Sequence, residues 1–169
     1  MKNKLFAASI LAVAFAICAC SSDDEEESLS DKCRKGDDSA CLVGTWNMLA
    51  IQDAATDYNV IADFTTGPGR LVINEDGTFT YTYATAVSSL MSSSCGGLND
   101  SGKWTYDKAT KTITIKFTVG EQCNPNPTIS SIVKVNETDM TLNGKVFQIN
   151  EDFFGATQPV EYYKRVAIQ

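Results

Sequence analysis

Histidine is absent from this 169-residue chain, which removes the side chain most often used as a general base near neutral pH. The Ser-His-Asp and Cys-His arrangements of nucleophilic catalysis are closed off with it. A zinc site is disfavoured twice over, because none of the six cysteines stands in a C-x-x-C pair. Positive charge is in short supply: 14 basic residues face 21 acidic ones, for a net charge of −7. That balance disfavours nucleic acid and anionic lipid headgroups as partners, since both demand a basic surface, and no nucleic-acid partner is expected. No general base is near in sequence to the serine run Ser88, Ser89, Ser92, Ser93 and Ser94, and Glu121, Glu151 and Asp152 read as solvated carboxylates in loops. The sequence therefore predicts a protein that is not an enzyme, with no catalytic residue, no metal and no cofactor.

What is present begins with an export signal. Lys2 and Lys4 precede Leu5 to Ile17, an apolar run shorter than the roughly 20 residues that span a bilayer. The run ends in Ile17-Cys18-Ala19-Cys20, which resembles the bacterial lipobox, with an aliphatic residue three before a cysteine and a small residue just before it. The resemblance implies that residues 1–19 are cleaved and that Cys20 becomes the lipidated, palmitate-bearing N-terminus. Several acyl chains on one cysteine make the membrane attachment durable, each buried CH₂ contributing about 0.8 kcal/mol. Five of the seven residues after Cys20 are acidic and none is apolar, so residues 20–40 are expected to be a lipidated cysteine and its tether, disordered to about Ser30. Ser21 resembles an outer-membrane sorting residue, and the acidic run resembles a surface-display signal; a spacer facing the periplasm is the alternative. The expected location is the bacterial cell envelope, anchored to the outer membrane, with lipid as the only membrane contact.

Removal of Cys18 and lipidation of Cys20 leave Cys33, Cys41, Cys95 and Cys123. In an oxidising compartment these four allow three disulfide connectivities. Proximity favours Cys33–Cys41, closing the polar loop from Arg34 to Ala40, and hence Cys95–Cys123.

Residues 41–169 offer one domain of ordinary size, without an internal linker. Its centre is Gly69 to Phe117, where Phe79, Tyr81 and Tyr83 alternate with Thr78, Thr80 and Thr82, and Ile113, Ile115 and Phe117 alternate with Thr112, Thr114 and Lys116. Strand side chains point to opposite faces with period two, so one face is apolar and the other is a Thr/Lys face. Asp76-Gly77 supplies the positive-φ chemistry of a tight turn. Strands are predicted at Leu42–Ile51, Gly69–Ile73, Gly77–Ala84, Gly102–Asp107, Thr112–Thr118, Thr128–Val135, Asp139–Asn143 and Pro159–Arg165. Short turns at Asn74–Gly77, Asp107–Lys111 and Asn136–Thr138 alternate with long connections at Gln52–Pro68, Thr85–Ser101, Val119–Pro127 and Gly144–Gln158. In an up-and-down meander every second connection lies at the same end, so all the long ones crowd one rim and bring Cys95 and Cys123 together. The fold class is an all-β, eight-stranded antiparallel up-and-down barrel. The facing of Thr128–Val135 and of the Tyr162-Tyr163 pair stays open.

Leu42-Val43-Gly44-Thr45-Trp46 resembles the G-x-W opening of the lipocalin (calycin) superfamily. With Asn74-x-Asp76-Gly77-Thr78-Phe79, Gly102-Lys103-Trp104-x-Tyr106 and Tyr162-Tyr163-Lys164-Arg165, the pattern resembles the lipocalin-like domains of bacterial lipoproteins. The resemblance implies that a cation, Arg165 or Lys164, stacks on Trp46. No helix is expected after the barrel, in departure from that superfamily.

Two functional readings follow. In the first, a lipocalin-like barrel binds a small hydrophobic molecule among Trp46, Phe79, Tyr81, Tyr83, Trp104, Tyr106 and Phe117, with Tyr83, Trp104 and Phe117 nearest the long-connection rim. Buried tyrosine and tryptophan carry polar tips that a ligand can satisfy. A solid, ligand-free core is the alternative for the same residues. In the second reading, the rim loops contact an envelope protein, a glycan or a foreign enzyme that the protein inhibits, and the barrel only holds the loops. A hollow interior favours the first; a filled one with an exposed patch at Gly96, Leu98, Phe153 and Phe154 favours the second.

Overall fold

A computed structural model describes residues 27–84, 99–118, 128–144 and 159–167. Cys20, Cys95, Cys123, the leader, the tether up to residue 26, most of three of the four long connections and the patch at Gly96, Leu98, Phe153 and Phe154 lie outside them; the rest of the 20–40 segment is largely helical, not an extended tether.

Two short helices, α1 (Leu29–Arg34) and α2 (Asp38–Leu42), precede nine strands: β1 (Gly44–Asp53), β2 (Asn59–Asp63), β3 (Gly69–Ile73), β4 (Thr78–Thr82), β5 (Asn99–Asp107), β6 (Thr112–Phe117), β7 (Thr128–Val135), β8 (Asp139–Gly144) and β9 (Pro159–Ala167). From β3 to β9 each strand pairs antiparallel with the next, and β9 returns to β1, closing the sheet into a barrel. The barrel has eight staves although there are nine strands. β2 pairs with Ala50–Asp53 and β3 with Gly44–Met48, so both lie along the same edge of β1, one beyond the other. They are one interrupted stave. The break falls at Phe64–Pro68, where the Asp63 carboxylate accepts from the Thr65 amide at 2.8 Å and the Gly67 amide bonds the Phe64 carbonyl at 3.0 Å. Gln52–Pro68 is therefore not a loop, contrary to the sequence reading. Val60 and Tyr58 are exposed, so this segment lacks the apolar alternation that betrays a strand.

Alternation built the rest as its residues dictate. Trp46, Met48, Leu71, Ile73, Phe79, Tyr81, Ile113, Ile115, Phe117, Met140 and Leu142 are all under 4% exposed and pack as one core. The structure also decides the two open strands: Ile129, Ser131 and Val133 face inward with Ile132 outside, and Tyr163 is buried while Tyr162 is half-buried. At the Asn74–Gly77 turn, Gly77 has φ +80°, and the Asp76 carboxylate accepts from the Thr78 amide. Gly102 is required for a different reason. A Cβ there would lie 2.1 Å from the Lys116 carbonyl oxygen and 2.9 Å from the Phe79 ring.

The helices cover the end of the barrel that carries the short turns. Ser28 caps α1 and Asp37 caps α2. Cys33 and Cys41 are joined by a disulfide, and Ala40, Leu29 and Val135 pack around it. Helix, not loop, occupies most of the Arg34–Ala40 region. All three short turns meet this layer: Glu75 lines a cleft of about 220 Å³ with Leu29 and Lys32, Lys111 lies 3.4 Å from Asp38, and Arg34 lies 3.6 Å from Glu137.

Candidate functional site

Two sets of aromatic residues separate along the barrel axis. Trp46, Trp104 and Tyr106 belong to the helix-covered end. Trp46 is fully buried, its indole N–H donates to the Leu42 carbonyl at 2.9 Å, and the Arg165 guanidinium lies 4.0 Å over its ring. Arg165 also donates to the carbonyls of Val43 (2.9 Å), Glu137 (2.6 Å) and Cys41. Lys164 points outward toward Asp139, 3.6 Å away.

Trp104 is not at the long-connection rim, where the sequence reading put it. β4 ends its pairing at Thr78–Lys103, so β5 runs on past β4 at the short-turn end and pairs there with β6 alone. The Trp104 indole N–H accordingly donates to the Asn74 carbonyl at 2.9 Å, within the turn. One step further, the Tyr106 hydroxyl donates to Asp38 of α2 at 3.0 Å. Burial, followed by that carboxylate, pushes the Tyr106 phenol up to about 12.

Phe79, Tyr81, Tyr83 and Phe117 form the other set, with Tyr83 and Phe117 at the strand ends that lead into long connections and Phe79 packed against Phe117 from just beyond the Asn74–Gly77 turn. The rings of Phe79 and Phe117 meet edge to face at 5.6 Å, and those of Tyr81 and Tyr83 at 5.0 Å. Beside them are acids that sequence reasoning missed. The Tyr83 hydroxyl donates to Asp100 at 2.6 Å, and the Tyr163 hydroxyl donates to Glu161 at 2.6 Å. Asp100 is 2% exposed and Glu161 fully buried. Burial first, then the Glu161 charge and the neighbouring Tyr81, hold the Tyr163 phenol far above its ordinary range. Its proton stays on at any physiological pH, so Tyr163 acts as a fixed donor. Asp53 is also buried at this end, where it accepts from the Ala55 amide. Strand parity was the available signal: Asp100 shares a face with Gly102 and Trp104, and Glu161 shares one with Tyr163 and Arg165.

The result is a barrel interior with two characters. One end is sealed by helices and a Trp–Arg stack; the other combines apolar rings with phenol–carboxylate pairs. Such a surface can hold an apolar body and orient a polar group on it. Among the described residues no cluster of His, Cys, Asp and Glu has the makings of a metal site, and no helix is long and apolar enough to cross a membrane.

The profile of the lipocalin-like domain family matches residues 42–142. Two crystal structures are similar to this chain. One is a lipocalin-like protein from Bacteroides uniformis, with 11% identity and a TM-score of 0.46, covering 73% of this chain and 97% of that one. The other is a DUF4847 family protein from Bacteroides vulgatus, with 13% identity and a TM-score of 0.46, covering 78% of this chain and 98% of that one. No curated protein matches.

Proposed function

Because the chain belongs to the lipocalin-like domain family, we propose that it is an envelope-anchored, non-catalytic binding protein whose barrel takes one small, mainly apolar molecule at the long-connection end. The family fold is a ligand-binding one in general. The observation that carries the finer reading is the pairing of Tyr83 with Asp100 and Tyr163 with Glu161 inside a mainly apolar barrel. A core that only had to fold would be filled more cheaply with aliphatic groups, because each buried polar group must find a partner. In this reading Phe79 and Phe117 cover the ligand's apolar body, worth about 25 cal/mol per Å² removed from water. A phenol that turns from its carboxylate then donates to the ligand's polar atom. Entry is at the long-connection end, since the helices cover the other. The membrane attachment is proposed on the Ile17-Cys18-Ala19-Cys20 box alone.

The test uses the soluble domain beginning at Ser21, produced in an oxidising compartment. Native mass spectrometry is expected to show an adduct that is lost on denaturation, and Nile red is expected to bind and be displaced by the extracted molecule. Tyr83→Phe should weaken Nile red binding about three- to tenfold, the loss of one hydrogen bond in a dry site. Trp104→Ala, at the sealed end, should leave it unchanged. The reverse pattern, with Trp104→Ala damaging and Tyr83→Phe silent, would overturn this placement. For the anchor, Cys20→Ala is expected to abolish palmitate incorporation in the full chain; undiminished labelling would refute lipidation at that residue.

A further inference from the structure

We propose that the outer face of β4 to β7 is a docking surface for an acidic, carboxylate-bearing polysaccharide, gripped by Lys103 and Lys116. This rests on the fold and not on the barrel's ligand. The first observation is how charge is distributed. The protein carries 21 acidic residues, yet among the described residues the only carboxylate on this face is Asp107, at the turn end of β5. Its oxygen is already engaged by the amides of Ala109 and Thr110. Asp100 points inward. Every other described acid lies within residues 27–38, on the turns, or on β1, β2, β8 and β9. In a chain of net charge −7, a face cleared of carboxylates is a locally attractive surface for an anion.

The second observation is a sheet pairing that works against stability. Lys103 and Lys116 stand directly opposite one another on β5 and β6, both exposed. Like charges at directly opposed positions destabilise a sheet. Among the described residues neither ammonium belongs to an ion pair. The pair thus concentrates two cations on a few ångströms of surface with no ion-pair partner among the described residues.

The surroundings select the class of anion. The positions around the pair are hydroxyls: Thr80 opposite Ser101, and Thr114 with its oxygen 3.0 Å from that of Ser130. Such a surface hydrogen-bonds sugar hydroxyls and offers little to acyl chains, since Ile132, the one exposed large apolar side chain among its described residues, sits opposite Thr112 at the turn end. Both cations are lysines, which hold an anion as point charges, and no described residue of this face supplies an arginine fork. Without aromatic platforms, single-stranded nucleic acid has no base to stack.

The experiment titrates the mature soluble domain with polygalacturonate oligomers, with dextran as the neutral polysaccharide and phosphatidylglycerol vesicles as the anionic surface. Binding to polygalacturonate is expected, falling about tenfold between about 50 and 300 mM NaCl as the charges are screened. Lys103→Gln and Lys116→Gln should each weaken it about three- to tenfold, and the double variant K103E/K116E should abolish it. Lys134→Gln, on β7 but away from the pair, should leave it unchanged. The thermal midpoint of Lys116→Gln should equal or exceed that of the parent, because a like-charge pair is relieved. Equal binding to dextran, undiminished binding by K103E/K116E, or binding to the vesicles alone would overturn the proposal. Nile red binding by K103E/K116E reports separately on the barrel interior and is expected to be unaltered.

Discussion

At the residue scale, Arg165 ties together parts of the chain more than a hundred positions apart. It stacks on Trp46 and donates to carbonyls of Cys41, Val43 and Glu137, so one guanidinium joins β9 to α2, to the start of β1 and to the β7–β8 turn. A stacked cation contributes about 0.5–2 kcal/mol, and hydrogen bonds from a charged donor add to it. Arg165→Leu should therefore lower the unfolding free energy by about 2–4 kcal/mol in urea titration. Arg165→Lys should recover only part, because a single ammonium cannot reach three carbonyls and the ring together. Full stability in Arg165→Leu would show that the stack is incidental. From the sequence, Arg165 and Lys164 were equal candidates, and only register chose between them: Arg165 is opposite Trp46, so the two share a face, while Lys164 faces out toward Asp139. Glu161 and Asp100 were hidden for a related reason. For Asp100 the phenol partner, Tyr83, is 17 residues away in sequence; for Glu161 it is Tyr163 on the same strand, and the facing of the Tyr162-Tyr163 pair had to be known first.

Among the elements, the least legible were α1 and α2. Six and five residues respectively, rich in Asp, Lys and Ser, carry no amphipathic stripe, and isolated helices so short do not persist in water. Their stability comes from the disulfide and from contacts with the barrel's short turns. Closing a loop this small stabilises by about 2–3 kcal/mol in the chain-entropy account. The double variant C33S/C41S should lose that amount and loosen the cap, read as increased exposure of Trp104 in fluorescence, while the barrel's own circular dichroism is retained. A variant that lost the barrel signal at the same denaturant as the cap would show that the two fold as one unit. β2 was missed for its exposed, polar character, whereas the strands of the central meander were plain because Thr and aromatic or aliphatic residues alternate through each.

For the whole molecule, the tyrosines make stability depend on alkaline pH. Tyr106 and Tyr162 are each raised to about 12, Tyr106 chiefly by burial and Tyr162 chiefly by its hydrogen bond to Asp139 at 2.5 Å. In the unfolded chain both ionise near pH 10. The folded state holds these protons more tightly, so their contribution is complete below pH 10 and is lost as pH rises from there toward 12. The thermal midpoint should be flat from neutral pH to about 9.5 and then fall, and Tyr106→Phe should fall less steeply. An unchanged slope in Tyr106→Phe would show that burial and the Asp38 bond do not hold this proton more tightly in the folded state. Asp139 acts at the other extreme: its bonds from Thr138 and Tyr162 lower its pKa, so that part of the stability is present above pH 4 and lost as pH falls further.

What the sequence determined by itself was local and periodic. Alternation over Gly69–Phe117 and the Asp76-Gly77 turn were enough to specify the central meander, because each depends on neighbours two to five residues away. Tertiary structure alone decided which end of the barrel Trp104 and Tyr106 occupy, that β2 and β3 make one stave, and that Tyr83 meets Asp100. These depend on how far each strand runs past its neighbour when the sheet tilts and closes. That offset is set by packing around the whole barrel, and no single stretch of the chain encodes it.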